Sequence, residues 1–177
     1  MGCNFPTITT KTLLLRQFSD SDLLNVFKGL SDPRVTKYYG VHFHSIEETM
    51  EQMKWFRDLR KNNTGIWWAI CSHDGRVFYG AIGLNSLSMI QKKAEIGFWL
   101  LYKYWGNGVM KLAIPIICEY AFSQLHLQKI EAFVETENIN CKNLLKNLGF
   151  ALDGTLRDCE IKYGNYISLD VYVKLSN

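Results

Sequence analysis

Apolar positions along the chain open on one strand-like run, recur at helical spacing as far as Lys61, then at strand spacing, then at each in turn. TLLLRQF (Thr12 to Phe18) reads as a strand. SDSDLLNVFKGL after it has Ser19 or Asp20 as an N-cap ahead of apolar residues at helical spacing. SIEETMEQMKWFRDLRK (Ser45 to Lys61) repeats that signal, with Ser45 and Glu48 in capping-box register. From Ile66 the segments shorten and fill with β-branched and aromatic residues: IWWAICS (Ile66 to Ser72), VFYGAIGLNSL (Val77 to Leu87) and AEIGFWLL (Ala94 to Leu101). Turn material such as HDGR and MIQKK separates them, which predicts three antiparallel strands. A helix then runs to about Ser123, followed by the strand KIEAFVET and the helix NINCKNLLKNLG with Gly149 as its C-cap. A hairpin around YGN closes the chain, its last strand ISLDVYVKL alternating cleanly. The predicted class is α/β (α+β) with a mixed sheet, and the crossover from Leu101 to Lys129 sets the strands on either side of it parallel.

Composition narrows the picture. At 177 residues, 47% of them hydrophobic, the chain can fill the core of one domain, and no repeat, low-complexity run or Pro/Ser-rich linker divides it. Lys and Arg number 20 against 17 Asp and Glu, and the basic residues are scattered singly. No footprint for DNA emerges, so a small molecule or a protein is the expected partner. Cys3, Cys71, Cys118, Cys141 and Cys159 follow no metal-like spacing and read as reduced thiols. MGCNFPT lacks the apolar core of a signal peptide, and Pro6 stands where a myristoylation signal wants Ser or Thr. No segment is long and apolar enough to span a bilayer. The expectation is a cytoplasmic protein with no membrane partner.

The chemistry concentrates in KYWGNGVMKLA (Lys103 to Ala113), where a strand hands over to a helix. A helix N-terminus presents unpaired N–H groups and partial positive charge, and glycine there lets an anion approach the backbone. Gly106 and Gly108 read either as a cradle for a phosphate or as a tight turn with a helix cap. A P-loop and a three-glycine dinucleotide fingerprint are both excluded by the spacing.

AEIGFWLLYKYWGNGVMKLA, then KIEAFVETENINCKNLLKNLGFALDGTLRD, then GNYISLDVYVKL, closely resembles the GNAT acetyltransferase superfamily. Within it the chain is most similar to ribosomal-protein N-terminal (Rim-type) acetyltransferases and their polyamine-acetylating relatives. The resemblance spans nearly the whole chain, from LLLRQF through SDPRVTKYYG to the C-terminus. It implies one domain over residues 1–177, with a splayed sheet of six to seven strands flanked by about four helices. It also implies transfer of an acetyl group from acetyl-CoA to an amine, the acceptor being a protein N-terminal amine or a small amine or polyamine.

The resemblance carries roles to particular residues. The family's Gln/Arg-x-x-Gly-x-Gly/Ala pattern falls on WGNGVM, so Trp105, Gly106, Asn107, Gly108, Val109, Met110 and Lys111 are expected to hold the pyrophosphate. Trp105 and Met110 depart from that pattern, and Pro115 is expected to kink the helix. The pantetheine arm is expected to pair with the backbone of Phe98, Trp99 and Leu100 as an added strand, with an oxyanion donor near Leu100. Asn138 and Asn143 match positions that reach the cofactor arm; a plain N-cap is the other reading of Asn138. For the base, Glu160 matches a glutamate of the Rim-type branch and is preferred to Glu95. Cys141 stands where the family has a Ser or Tyr acid, and it also shares an apolar helical stripe with Leu144, Leu145 and Leu148. Acceptor binding is expected from Tyr38, Tyr39, His42 and Tyr163. His42 and His44 lack the other ligands of a metal site, so no metal is expected, and a homodimer stays open. A catalytically silent GNAT fold that binds CoA or a protein is the alternative, motivated by Trp105, Met110 and Cys141.

Overall fold

The computed structural model describes residues 5–176, so Cys3 and the first four residues, read above for thiol state and leader, lie outside it. A single eight-stranded sheet runs β1 (Ile8–Thr9), β2 (Leu13–Arg16), β3 (Ile66–Ser72), β4 (Phe78–Ser88), β5 (Lys93–Leu100), β6 (Lys129–Glu135), β8 (Asn165–Leu175), β7 (Ala151–Lys162) in spatial order. All neighbours are antiparallel except β5 and β6, which the crossover helix α4 (Val109–Ser123) sets parallel. The helices α1 (Leu23–Leu30), α2 (Pro33–Thr36) and α3 (Ile46–Lys61) precede β3, and α5 (Ile139–Asn147) links β6 to β7. Among the described residues, eight strands and five α-helices stand against the six to seven and about four expected. The additions, β1 and α2, are two and four residues long and leave no periodic trace.

Local signals explain most element boundaries. Asp32 caps α2 by accepting from the Arg34 N–H, with Pro33 at the first helical position. The Ser45 hydroxyl accepts from the Glu48 N–H, but Glu48 takes the N–H of His44 rather than that of its own cap. Gly149 sits at φ 81° just past α5, as a helix stop requires. Pro115 removes one helical hydrogen bond inside α4, and the helix continues to Ser123.

Two apolar layers sandwich the sheet. On one face α4 and α5 pack Ala113, Ile114, Ile117 and Leu145 against Leu15, Trp68, Ile82 and Ile130. On the other, α1 and α3 pack Val26, Leu30, Met53 and Phe56 against Trp67, Ala69, Ala81 and Trp99. Covered on both faces, β3 is buried from Ile66 to Cys71, and this is why IWWAICS reads as a continuous apolar run rather than an alternation. The Trp67 indole lies across Gly83, where a Cβ would come within 2.2 Å of it, and reaches Gly97, where a Cβ would lie 2.9 Å away. These two glycines face one another across β4 and β5, so both strands leave room for one flat ring. The described free cysteines are Cys71, Cys118, Cys141 and Cys159.

The first helix begins later than its cap signals suggest. Residues Asp20–Asp22 form a 3₁₀ turn, and Asp22, only 2% exposed, folds inward to a bidentate pair with Arg16 of β2 at 2.7 and 2.8 Å. It also accepts the Ser19 N–H at 2.8 Å. Burial works to raise the Asp22 pKa, and the Arg16 and Ser19 hydrogen bonds outweigh it, holding the carboxyl below its ordinary value. Removing the partner of a buried charge is costly. Asp22→Ala is therefore expected to lose about 3 kcal/mol in urea melts at neutral pH. Because the folded-state pKa is depressed, the contribution of Asp22 is present above its unfolded value near 4 and lost as pH falls through the folded one. An acid-side stability loss that persists unchanged in Asp22→Asn would refute this source.

Candidate active site

The parallel pairing of β5 with β6 lasts only from Lys93–Glu95 to Lys129–Glu131. Beyond Glu95 the strands part, and β6 continues with β8 as far as Glu135. The Leu101 N–H donates to the Tyr79 carbonyl of β4, so by the two-residue alternation of an antiparallel ladder the odd positions of β5 turn their backbone to β4. The C=O of Ile96, the N–H and C=O of Phe98 and the N–H of Leu100 therefore face the gap, while the Leu100 carbonyl takes the Trp105 indole N–H. Trp99, included above among the pairing residues, spends its backbone on Ala81 instead. A gap edged by unpaired strand amides accepts an extended polar chain as a substitute strand.

At one end of the gap stands the N-terminus of α4. Gly106 and Gly108 have φ of 76° and 75°, a left-handed geometry that glycine adopts freely, and nothing lies within 4 Å of where their Cβ atoms would be. The loop thus turns bare backbone outward at the positive end of a fifteen-residue helix. Met110 is buried under that helix, with its side chain in the core. Trp105 donates its indole N–H to the Leu100 carbonyl at 3.0 Å, tying the loop to the end of β5. Lys103 and Lys111 border the same cleft. Residues and backbone together fit a pyrophosphate-bearing arm such as that of acetyl-CoA.

The cleft is open, about 1930 Å³, and continues from this loop past the gap to α2, α3 and β7. Cys141 and Asn138 reach it from α5, where the Asn138 side chain also caps the helix by accepting the Cys141 N–H at 3.2 Å. Burial pushes the Cys141 thiol up to about 12, so it is protonated at neutral pH. Glu95 and Glu160 both border the cleft, as do Tyr38 and Tyr39. Burial, then the charges of Glu160 and Glu131, raise the Glu95 carboxyl above its ordinary value. Burial and the nearby Glu95 charge raise the Tyr39 hydroxyl as well. Lys162 of β7 pairs with Glu135 at 2.5 Å and donates to the Lys37 carbonyl at 2.6 Å, joining the hairpin to β6 and to the end of α2 at this end of the cleft.

Four of the expected residues lie off the cleft. Asn107 is exposed and does not border the cleft, and Asn143 is exposed on α5 while Asn140, Cys141 and Leu144 border the cleft. His42 turns to the Thr36 hydroxyl at 2.8 Å, and Tyr163 stands 77% exposed at the hairpin tip. Among the described residues no group of His, Cys, Asp and Glu could hold a metal ion. The sequence reading missed Trp55, Trp67 and Asn85, which also line the cleft. The signal that points to them is glycine inside strands, GAIG and EIGF, since a strand glycine marks a close approach.

Residues 12–151 match the family model of the acetyltransferase (GNAT) domain. The uncharacterized N-acetyltransferase YoaA of Bacillus subtilis is 34% identical over 169 residues, covering 95% of this chain and 96% of that protein. A ribosomal L7/L12 alpha-N-protein acetyltransferase, RimL, solved with coenzyme A in disulfide linkage to one of its cysteines, shares the fold at a TM-score of 0.84 and 19% identity, covering 95% of this chain and 96% of that one. Spermidine N-acetyltransferase from Vibrio cholerae, solved with CoA and spermine, shares it at 0.82 and 21% identity, covering 94% and 96%. The open strand gap, the glycine-lined helix N-terminus beside it and the match over residues 12–151 make this chain a member of the GNAT family, an acetyl-CoA-dependent N-acetyltransferase.

Proposed function

We propose that the acceptor is the N-terminal amine of a protein chain and that Glu95 is the base that removes its proton, directly or through water. The observation that carries the assignment is the position of Glu95. It is the last residue of β5 still paired to β6, half-buried where the gap opens, with its carboxyl raised by burial and by Glu160 across the cleft. A carboxylate of raised pKa is a stronger base near neutral pH. Glu160, preferred from sequence, is exposed on β7 and serves here as the charge that tunes Glu95.

Acetyl-CoA supplies the activated acetyl group. The Leu100 N–H, free of β4, donates to the carbonyl oxygen as negative charge grows there. The amine nitrogen forms its bond to the carbonyl carbon, Glu95 takes the proton it sheds, and the carbon–sulfur bond breaks. The Cys141 thiol, protonated and bordering the cleft from α5, is assigned the proton that the departing thiolate takes up, and regains one from water. A donor near 12 matches a thiolate desolvated by the same walls, and water takes over once the cleft opens. The departures at Trp105 and Met110 leave the loop's main chain bare, which supports an active enzyme over a silent fold.

A polyamine acceptor is the second reading. It is favoured by Glu51 and Asp58, one turn either side of Trp55 on the face of α3 that borders the cleft. A thiol-release assay with N-terminal alanyl and seryl peptides against spermidine decides between them: faster turnover of spermidine would overturn the first reading.

Two further outcomes are expected. Glu95→Gln should lower turnover by roughly two to four orders of magnitude while leaving acetyl-CoA binding intact. Since the folded Glu95 pKa is raised, its charge costs stability as pH rises through that value, so the same variant should melt higher than wild type at neutral pH and equally at acid pH. Glu160→Gln lowers the Glu95 pKa and should move the acid limb of the kcat/KM profile to lower pH; an unmoved limb would dissociate the two carboxylates. Separately, acetyl-CoA at ~100 times its Kd should raise the melting midpoint by roughly 5–10 °C. Gly108→Asp should abolish that rise in a protein that still melts cooperatively.

A further inference from the structure

Asn85 holds a feature that transfer of the acetyl group does not use. It is the cross-strand partner of Glu95, and the β4–β5 register breaks immediately after it, with Ser86 at φ 48°. Bulges of this kind re-aim side chains beside sites. The Trp67 indole N–H meets the Asn85 side chain at 2.5 Å. An indole can only donate, so the amide atom facing it is the oxygen, and the NH₂ group is turned the other way. Gly97 keeps the space before that group clear: a Cβ there would sit 3.6 Å from Asn85 Nδ2 and 2.9 Å from the indole. Asn85, Trp67 and Gly97 all border the acceptor side of the cleft. Among the described residues no acceptor pairs with Asn85 Nδ2.

From this we infer that Asn85 determines acceptor specificity, donating from Nδ2 to an oxygen carried by the acceptor beyond its reacting amine. The inference rests on the transferase reading above and names the substrate class within it. A peptide offers such an oxygen in its first carbonyls or in a seryl side chain. A polyamine offers only further donors, which an NH₂ group cannot accept and which leave it unpaired. Pinning by Trp67 matters because a free amide would flip to suit either ligand. The arrangement is chemically directional, and a site that hydrogen-bonds a substrate group discriminates against analogues lacking it.

The test measures kcat/KM by thiol release for alanyl and seryl pentapeptides, n-butylamine and spermidine. Wild type is expected to prefer the peptides. Asn85→Asp keeps an oxygen for the indole and replaces the donor with a carboxylate; the peptide-to-butylamine ratio should fall about ten- to a hundredfold, and spermidine should gain relative to both. Asn85→Leu removes the donor without adding charge, and should lower the same ratio with no gain for spermidine. Thermal melts with and without acetyl-CoA establish that each variant folds and binds the cofactor. A ratio unmoved in both folded variants overturns the role of Asn85 and leaves the transferase reading standing. Release of no thiol with any of the acceptors overturns both.

Discussion

Three residue pairs hold β5 to β6, and the site depends on the pairing ending there. The pair of strands is parallel, so it needs a long crossover, and that crossover places the N-terminus of α4 at the mouth of the gap. β6 is kept away from β5 by seven partners on β8, which fix its course independently. The result is a stretch of β5 with amides that have no strand to bond and that a polar arm of the right spacing can satisfy. Closing the gap by continuing the ladder would improve the sheet and remove the function.

Rigid packing on both sides keeps the gap open. β3 is covered on both faces and paired on both edges, so the centre of the sheet cannot flex toward the gap. On the α3 side of the sheet the Trp67 ring spans two strands by lying over paired glycines, which puts a broad aromatic surface at the depth of the backbone. A Cβ at either glycine would lift the ring and tilt the Asn85 amide it orients. Trp105 does comparable work at the other end by tying the loop to the Leu100 carbonyl. That residue differs from the family's pattern, yet it holds the same loop by a hydrogen bond of its own.

Electrostatics at the site run against stability. Glu95 is half-buried near two other carboxylates and has no ion-pair partner among the described residues, whereas Glu131 on the same sheet face is paired with both Lys93 and Lys129. Similar residue types on neighbouring strands are thus sorted into one with paired charge and one with raised pKa. Such contrasts are characteristic of sites where proton transfer is needed. Arg16 and Asp22 show the structural counterpart: a buried carboxylate made acceptable by a bidentate partner and a backbone N–H.

The sequence by itself determined the order and type of the main elements, because period, caps and turn residues are local properties. TLLLRQF, IWWAICS and ISLDVYVKL could form little but strands, and GNG before an apolar run could only open a helix with bare backbone. Family resemblance added the cofactor and reaction. What the chain order does not contain is which strand alternation faces the gap: the Leu101–Tyr79 hydrogen bond sets the phase and separates Trp99 from Phe98 and Leu100. Nor could it show that Glu95 is half-buried and Glu160 exposed, since burial and mutual charge arise only when β5 and β7 face one cleft. Trp67 and Asn85 lie 18 residues apart and meet only because β3 and β4 pair in one register, over glycines that give the ring room. Pairing register, solvent exclusion and the meeting of distant side chains are properties of the packed sheet, and the tertiary structure alone decides them.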